Sequence, residues 1–204
     1  MATHAVPGTG LELILNAAEG VLQIVVTEDE AILCAQEWYR SERATEILAP
    51  ALAELATSLG IRWSDLRRIA CVRGPGSFTG IRIGVSAAKG LAFSVDKPAV
   101  GVSTLAAMAR NAAFTDGLIV CAMDARRSQV YNAAFAAEGG QLTRLTPDRA
   151  IALSQLAEEL QGDPRPKLVV GDGAALCSGF LTEAGIPCRM APAQLVMQNA
   201  VGVA

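Results

Sequence analysis

Apolar and polar stretches alternate in short blocks at the start of the chain. Leu11–Leu15, Val21–Val26 and Ala31–Gln36 are apolar-rich runs, separated by the turn-forming stretches Asn16–Gly20 and Thr27–Glu30. Runs and linkers of this length predict three neighbouring strands joined as antiparallel hairpins. From Ser41 to Leu59 the period changes. Ile47, Leu48, Leu52, Leu55 and Leu59 recur at helical spacing with Glu42, Glu46 and Glu54 between them, and Gly60 stands where helix C-termini favour glycine. Pro50 falls inside this helix and is expected to kink it or to mark a tightened turn.

Strand, glycine loop and helix then follow in close succession. Ser64-Asp65 starts a short turn, Ile69–Val72 is an apolar run with a β-branched residue at each end, and Gly74-Pro75-Gly76 stops it. Ser77 and Thr79 can each accept a hydrogen bond from the free N–H groups of a first helical turn, and the helix runs uninterrupted to Asp96-Lys97-Pro98. Ala99–Val102 gives a fifth strand. The order is βββαβαβ, and the last strands, joined through helices, are expected to lie parallel. That is half of an actin-like, Hsp70-like duplicated α/β fold.

The remainder repeats the order. A helix over Thr104–Ala113 precedes strands at Leu118–Met123, Val130–Phe135 and Gln141–Leu145, with Asp124–Gln129 as the first connecting turn. Ala152–Gln161 reads as a helix, Lys167–Val170 as a strand, Ala174–Ala184 as a helix after Gly171-Asp172-Gly173, and Pro187–Met190 as a strand. Pro192 opens a last helix. Two lobes are expected, residues 1–103 with the glycine loop and residues 104–204, an ancient duplication.

The helix after the glycine loop has one face almost without side chains. Gly80, Gly84 and Ala88 recur every four residues and lie one above another, with Ile81 and Val85 beside them. Each glycine costs a soluble helix roughly 1 kcal/mol relative to alanine, so something must pack closely there. Either the chain's own sheet or a partner helix fits that description, since backbones without side chains approach closely in both cases. Gly80, Ile81, Gly84, Val85 and Ala88 are the candidate partner-binding residues.

Composition narrows the function classes. At 204 residues and 51% hydrophobic, the chain is globular and long enough for one large domain or two small ones. A net charge of −3 argues against a self-sufficient nucleic-acid binder, so any RNA role needs partners. Cys34, Cys71, Cys121, Cys177 and Cys188 show neither paired nor zinc-site spacing, which fits free thiols in a reducing cytoplasm. The opening MATHAVPGTG has no basic region followed by an apolar core, so no secretion signal is expected, and no apolar run is long enough to span a bilayer.

The segment GPGSFTGIRIGVSAAKGLAF, followed by Pro98 and by Gly101–Ala109, resembles the signature of the TsaB family, also called YeaZ, of the bacterial threonylcarbamoyladenosine (t6A) pathway. Ala122–Arg126, Val130-Tyr131 and Val169–Gly173 resemble that family's later landmarks in the right order. The resemblance implies an actin-like fold and a non-catalytic scaffold that pairs with its catalytic paralogue TsaD, and through the complex with the small ATPase TsaE. The assembly transfers a threonylcarbamoyl group to N6 of adenosine 37 in tRNAs that read codons beginning with A, the transfer chemistry belonging to TsaD. A homodimer is expected when TsaD is absent, tRNA is met only indirectly, and the location is the cytoplasm. Family members continue past residue 204 with a Tyr-Leu-Arg stretch and basic residues, so no role of that tail is carried over to this sequence.

The residues that chemistry would need give a consistent answer. Gly74-x-Gly76-x-x-x-Gly80 misses the dinucleotide-loop spacing by one residue, and no Gly-Lys-Ser/Thr closes the loop as a P-loop requires. What remains is a candidate anion or nucleotide site of Gly74, Gly76, Ser77 and Thr79 at a helix N-terminus near Arg73 and Arg82, or else a tight structural corner. Actin-like ATPases place an aspartate at the end of the first strand, where this chain has Leu15 and then Asn16. Asp124 occupies the corresponding place in the second half, as a member of a nucleotide site or as a turn residue. The His-x-x-x-His metal pair expected of TsaD is absent from the helix before Gly60, and the single histidine, His4, lies far from it. No metal, cofactor or catalytic residue is therefore expected, and the glycoprotease label once attached to the family finds no support here. The alternative reading is a small nucleotide-binding ATPase using the glycine loop and Asp124.

Overall fold

The computed structural model describes residues 10–18, 20–29, 31–39 and 44–192, which fall into two units parting between Thr104 and Leu105. In the first unit, β1 (Leu11–Asn16), β2 (Val21–Glu28) and β3 (Ala31–Tyr39) form the antiparallel meander that the apolar runs predict. α1 (Ala44–Leu59) and a single 3-10 turn at Trp63–Asp65 lead to β4 (Arg68–Val72), and α2 (Phe78–Val95) leads to β5 (Ala99–Val102). β4 lies parallel to β1 and β5 parallel to β4, giving the sheet order β3-β2-β1-β4-β5.

β1 is central in this sheet, and every one of its residues is buried. Its odd-numbered leucines, Leu11, Leu13 and Leu15, join Leu22, Ile24 and Val26 on one face, where Leu48 and Leu55 of α1 and Ala88 and Ala92 of α2 pack. α1 runs through Pro50 without ending. Pro50 lies on the exposed side of α1, where solvent takes the place of the hydrogen bond its ring removes.

The second unit repeats the scheme. α3 (Thr104–Asn111) begins at the division and packs from Leu105 onward on one side of the second sheet. β6 (Gly117–Asp124), β7 (Gln129–Glu138) and β8 (Gln141–Arg144) form the meander, followed by β9 (Arg149–Ala152), α4 (Leu153–Leu160), β10 (Lys167–Val170), α5 (Ala174–Glu183) and β11 (Arg189–Met190). The order β11-β10-β6-β7-β8 matches that of the first sheet read from its fifth strand to its third. The fold is the actin-like duplicated α/β fold.

One strand departs from the expectation. β9 pairs with the first half of β7 while β8 pairs with its second half, so the third strand of this unit is broken in two. The break is pinned by Thr146, whose Oγ1 accepts the Ala134 N–H at 2.8 Å, while Leu145 N–H donates to the Ala134 carbonyl at 2.8 Å. The helix expected from Pro192 and the Ser41–Arg43 start of the first helix lie outside the described residues.

The same kind of corner occurs within each unit. In each, the glycine loop, after β4 or β10, donates a backbone N–H to a carbonyl near the end of the unit's first strand: Ser77 to Ala18, just past β1, at 2.5 Å, and Gly173 to Ala122, inside β6 near its end, at 3.0 Å. Gly76 and Gly171, both at positive φ, permit the approach.

Candidate functional site

The glycine loop is built against the chain's own backbone. Gly74-Pro75 is a cis peptide, and the Gly74 carbonyl accepts the Thr104 N–H at 3.0 Å. Ser77 caps α2: its Oγ accepts the Gly80 N–H at 3.2 Å, and its carbonyl accepts the Ile81 N–H at 2.9 Å. A Cβ on Gly76 would stand 2.5 Å from the Ala18 carbonyl oxygen, and one on Gly80 would overlap the carbonyl oxygen of Ala17. The groups nearest these glycines are thus hydrogen-bond acceptors, which repel an anion. Gly74, Gly76 and Ser77 form the tight corner; Thr79 and Arg73 are exposed beside it.

The small-residue face of α2 corrects the expected partner interface. Gly80, Gly84, Ala88 and Ala92 are buried, and Ala17 lies against Gly80 and Gly84. Val85 packs on the same core, and the half-buried Ile81 reaches toward Gly74. The stripe lets α2 settle onto the end of β1, where any side chain at Gly80 would collide with backbone. It is an internal contact.

The exposed surface lies on the other side of the helix. Between α1 and α2 runs an open, mainly apolar groove of about 730 Å³, lined by Leu48, Ala49 and Leu52 of α1 and by Ile83, Ala87 and Leu91 among the α2 residues. Phe78, 73% exposed, stands at the start of α2, and the Arg82 guanidinium lies 5.1 Å from its ring centroid. Arg82 is the single charged residue among the described residues that line the groove. A signal for this surface is present in the sequence: α2 carries only Arg82 and Lys89 as charges, so once the glycine face is spent on the core, the opposite face lacks the polar stripe of an ordinary surface helix.

The remaining candidates are placed separately. Asp124, in the second unit, is exposed; its Oδ1 accepts the Arg126 N–H at 2.7 Å, and its own N–H donates to Asp172 Oδ1 at 3.0 Å. It closes the β6–β7 turn, whose residues Arg126, Arg127 and Ser128 all have positive φ. In the first unit Leu15 is buried, and Asn16 donates to Gln23 Oε1 at 2.7 Å and accepts the Ala18 N–H at 3.0 Å. Both first-strand ends are thus committed to local structure.

Thiol chemistry finds little purchase. Burial raises the pKa of Cys71 and Cys121 and pushes Cys177 up to about 12, so these three remain protonated and poorly nucleophilic near neutrality. Among the described residues, no group of three or more His, Cys, Asp or Glu side chains is arranged to hold a metal ion, and no helix is long and apolar enough to cross a membrane.

Known proteins give this architecture a family. A family model described as "TsaD: tRNA N6-adenosine threonylcarbamoyltransferase" matches residues 40–184. The tRNA threonylcarbamoyladenosine biosynthesis protein TsaB of Bacillus subtilis is 34% identical over 80% of this chain and 72% of its own length. The Escherichia coli protein of the same name is 35% identical over 60% of this chain and 54% of its own length. In structure, YeaZ from Pseudomonas aeruginosa superposes with a TM-score of 0.78 at 23% identity, covering 95% of this chain and 88% of that one. By sequence and by fold together, the chain belongs to the TsaB (YeaZ) family, whose members are tRNA threonylcarbamoyladenosine biosynthesis proteins.

Proposed function

We propose that this chain is a non-catalytic subunit of the assembly that places threonylcarbamoyl on N6 of adenosine 37 in tRNAs reading ANN codons, and that it acts in the cytoplasm by pairing with a TsaD-type partner. The observation that carries this reading is the apolar groove between α1 and α2. Monomeric proteins seldom leave a contiguous apolar groove exposed unless a partner or ligand covers it. The match to the TsaD family model makes a partner of the same fold the natural occupant, because related folds can pair through equivalent helices.

The chemistry is assigned to the partner. Asp124 closes a turn, Leu15 and Asn16 are built into the sheet end, and the carbonyl oxygens of Ala18 and Ala17 lie against Gly76 and Gly80. These arrangements weigh against the nucleotide-hydrolysing alternative. TsaE joins through the complex, and tRNA is met by the partner, in keeping with the net charge of −3.

The test is reconstitution. TsaD and TsaE from the same organism, ATP, a threonylcarbamoyl donor and unmodified tRNA are incubated with and without this chain, and modified adenosine is measured by mass spectrometry of digested tRNA. Product formed only when the chain is present, together with no ATP turnover by the chain alone, is expected. Equal product without the chain, or ATP turnover abolished by Asp124→Ala, would overturn the reading.

A further inference from the structure

We propose that β3 is a self-recognition edge: two copies of this chain join through it by antiparallel strand pairing about a two-fold axis at Gln36. The interface is separate from the groove and independent of its role, since no groove-lining residue among those described lies on β3.

β3 ends the first sheet and pairs only with β2, so one side of its backbone has no partner strand among the described residues. None of its nine residues is buried, and Ile32, Leu33 and Tyr39 are 46%, 43% and 74% exposed. A long apolar edge is a template for another strand, and proteins blunt such edges by shortening them or with charges, prolines and bulges. The other sheet edges among the described residues are short: β5, β8 and β9 have four residues each, and β11 has two. The corresponding strand of the second unit is split into β8 and β9 and carries Arg144 and Arg149, whereas β3 is continuous and holds no Lys, Arg, Pro or Gly. One blunting device is present. The β2–β3 register shifts at Val26/Thr27 and leaves Leu33 as a bulge, but Cys34–Tyr39 stays regular. The single charge of the strand, Glu37, is held within the chain: Gln23 Nε2 donates to its Oε1 at 2.5 Å, and the Tyr39 hydroxyl donates to its Oε2 at 3.0 Å.

The regular run selects both the occupant and the register. Antiparallel pairing of two identical strands sets residues of one face opposite each other, so the two-fold axis must fall on a residue. An axis at Glu37 would oppose two carboxylates, which is unfavourable, and one at Ala35 would set the bulged Leu33 against Glu37. An axis at Gln36 places Cys34 opposite Trp38 and Ala35 opposite Glu37, with the two Gln36 amides side by side. It also brings the exposed Leu33 of each copy next to Tyr39 of the other. The strand that fits this edge is therefore its own copy, and the contact closes at two chains instead of growing into a fibre.

The test is made in an Ala49→Arg/Ser86→Arg background, altered at exposed groove positions, so that association through the groove does not contribute. Sedimentation equilibrium over a rising concentration series gives the self-association constant, with thermal unfolding to verify folding. Ala35→Lys, set opposite Glu37 of the second copy, should tighten the dimer by about threefold or more, and Ala35→Glu should weaken it by as much. A second measurement uses no added charge. With Cys34→Ser in place, Gln36→Cys should cross-link to itself across the axis in oxidised glutathione, whereas Cys34 of the background protein, opposite Trp38, should not. Peptide mapping by mass spectrometry identifies the linked residues.

A background protein that stays monomeric throughout the series, with no Gln36→Cys cross-link, overturns self-pairing through β3. A dimer to which Ala35→Lys and Ala35→Glu make no difference, again without that cross-link, is held by another surface and overturns it equally. A cross-link formed at Cys34 in place of Gln36→Cys overturns the register.

Discussion

Gly80 lies against the Ala17 carbonyl so closely that a Cβ at Gly80 would overlap the carbonyl oxygen. This contact decides which way α2 faces. The helix seats its glycine stripe on the end of β1, and its other side is left for the groove. Gly80→Ala should therefore destabilise the chain by about 1–3 kcal/mol or more, since backbone rather than a side chain must move. At Gly84 the nearest atom to an added Cβ is Ala17 Cβ at 3.8 Å, an ordinary contact. Gly84→Ala should be neutral or stabilising by up to about 1 kcal/mol, while Gly84→Leu should be destabilising. Thermal unfolding of the three variants checks the order.

Gly90 provides the complementary case on the outer side of the same helix. An added Cβ there meets nothing within 4 Å. Gly90→Ala should raise stability by about 1 kcal/mol through helix propensity alone, read as an increase in Tm.

Much of the fold was legible because strand and helix periods are written in the apolar residues. The leucines of β1 and the Leu48–Leu55 stripe of α1 place the first core directly. Two features were not legible. β9 is a four-residue strand, Arg149–Ala152, that runs straight into α4 and has no period long enough to distinguish it from a helix start. The direction of the Gly80–Gly84–Ala88 face was ambiguous for a physical reason: close backbone approach looks the same in sequence whether the neighbour is a sheet end or another chain. Ala17, an alanine in a turn, gives no local sign that its carbonyl is the contact.

The β6–β7 turn offers a strain test. Arg126, Arg127 and Ser128 have φ of 65°, 52° and 59°, a left-handed run that costs L-residues about 1–2 kcal/mol each. Ser128→Gly should raise stability by roughly 0.5–1 kcal/mol, while Ser128→Val, β-branched in the same conformation, should lower it. Chemical denaturation at one pH suffices to compare them.

A pH dependence is expected near β10. Arg165 donates from Nε to Asp163 at 3.1 Å and from Nη2 at 2.5 Å, holding the carboxyl at about 2 against an ordinary 3.8. A carboxyl depressed in the folded chain adds stability above its unfolded pKa and loses it as pH falls through the folded value. Asp163→Asn should thus lower Tm at pH 7, and the gap to the parent should close between about pH 4 and pH 2. The effect is modest, since the pair is partly exposed to solvent. Melting curves of both proteins across that range give the comparison.

The proposed role requires the α1–α2 groove to be where this chain meets its partner. Sedimentation velocity of an equimolar mixture of the chain with TsaD from the same organism measures this directly, run beside the Ala49→Arg/Ser86→Arg variant. The parent should sediment with TsaD as one complex, and the variant, with an unchanged Tm, should sediment as two separate species. A variant that still travels with TsaD as the parent does would contradict docking through this groove.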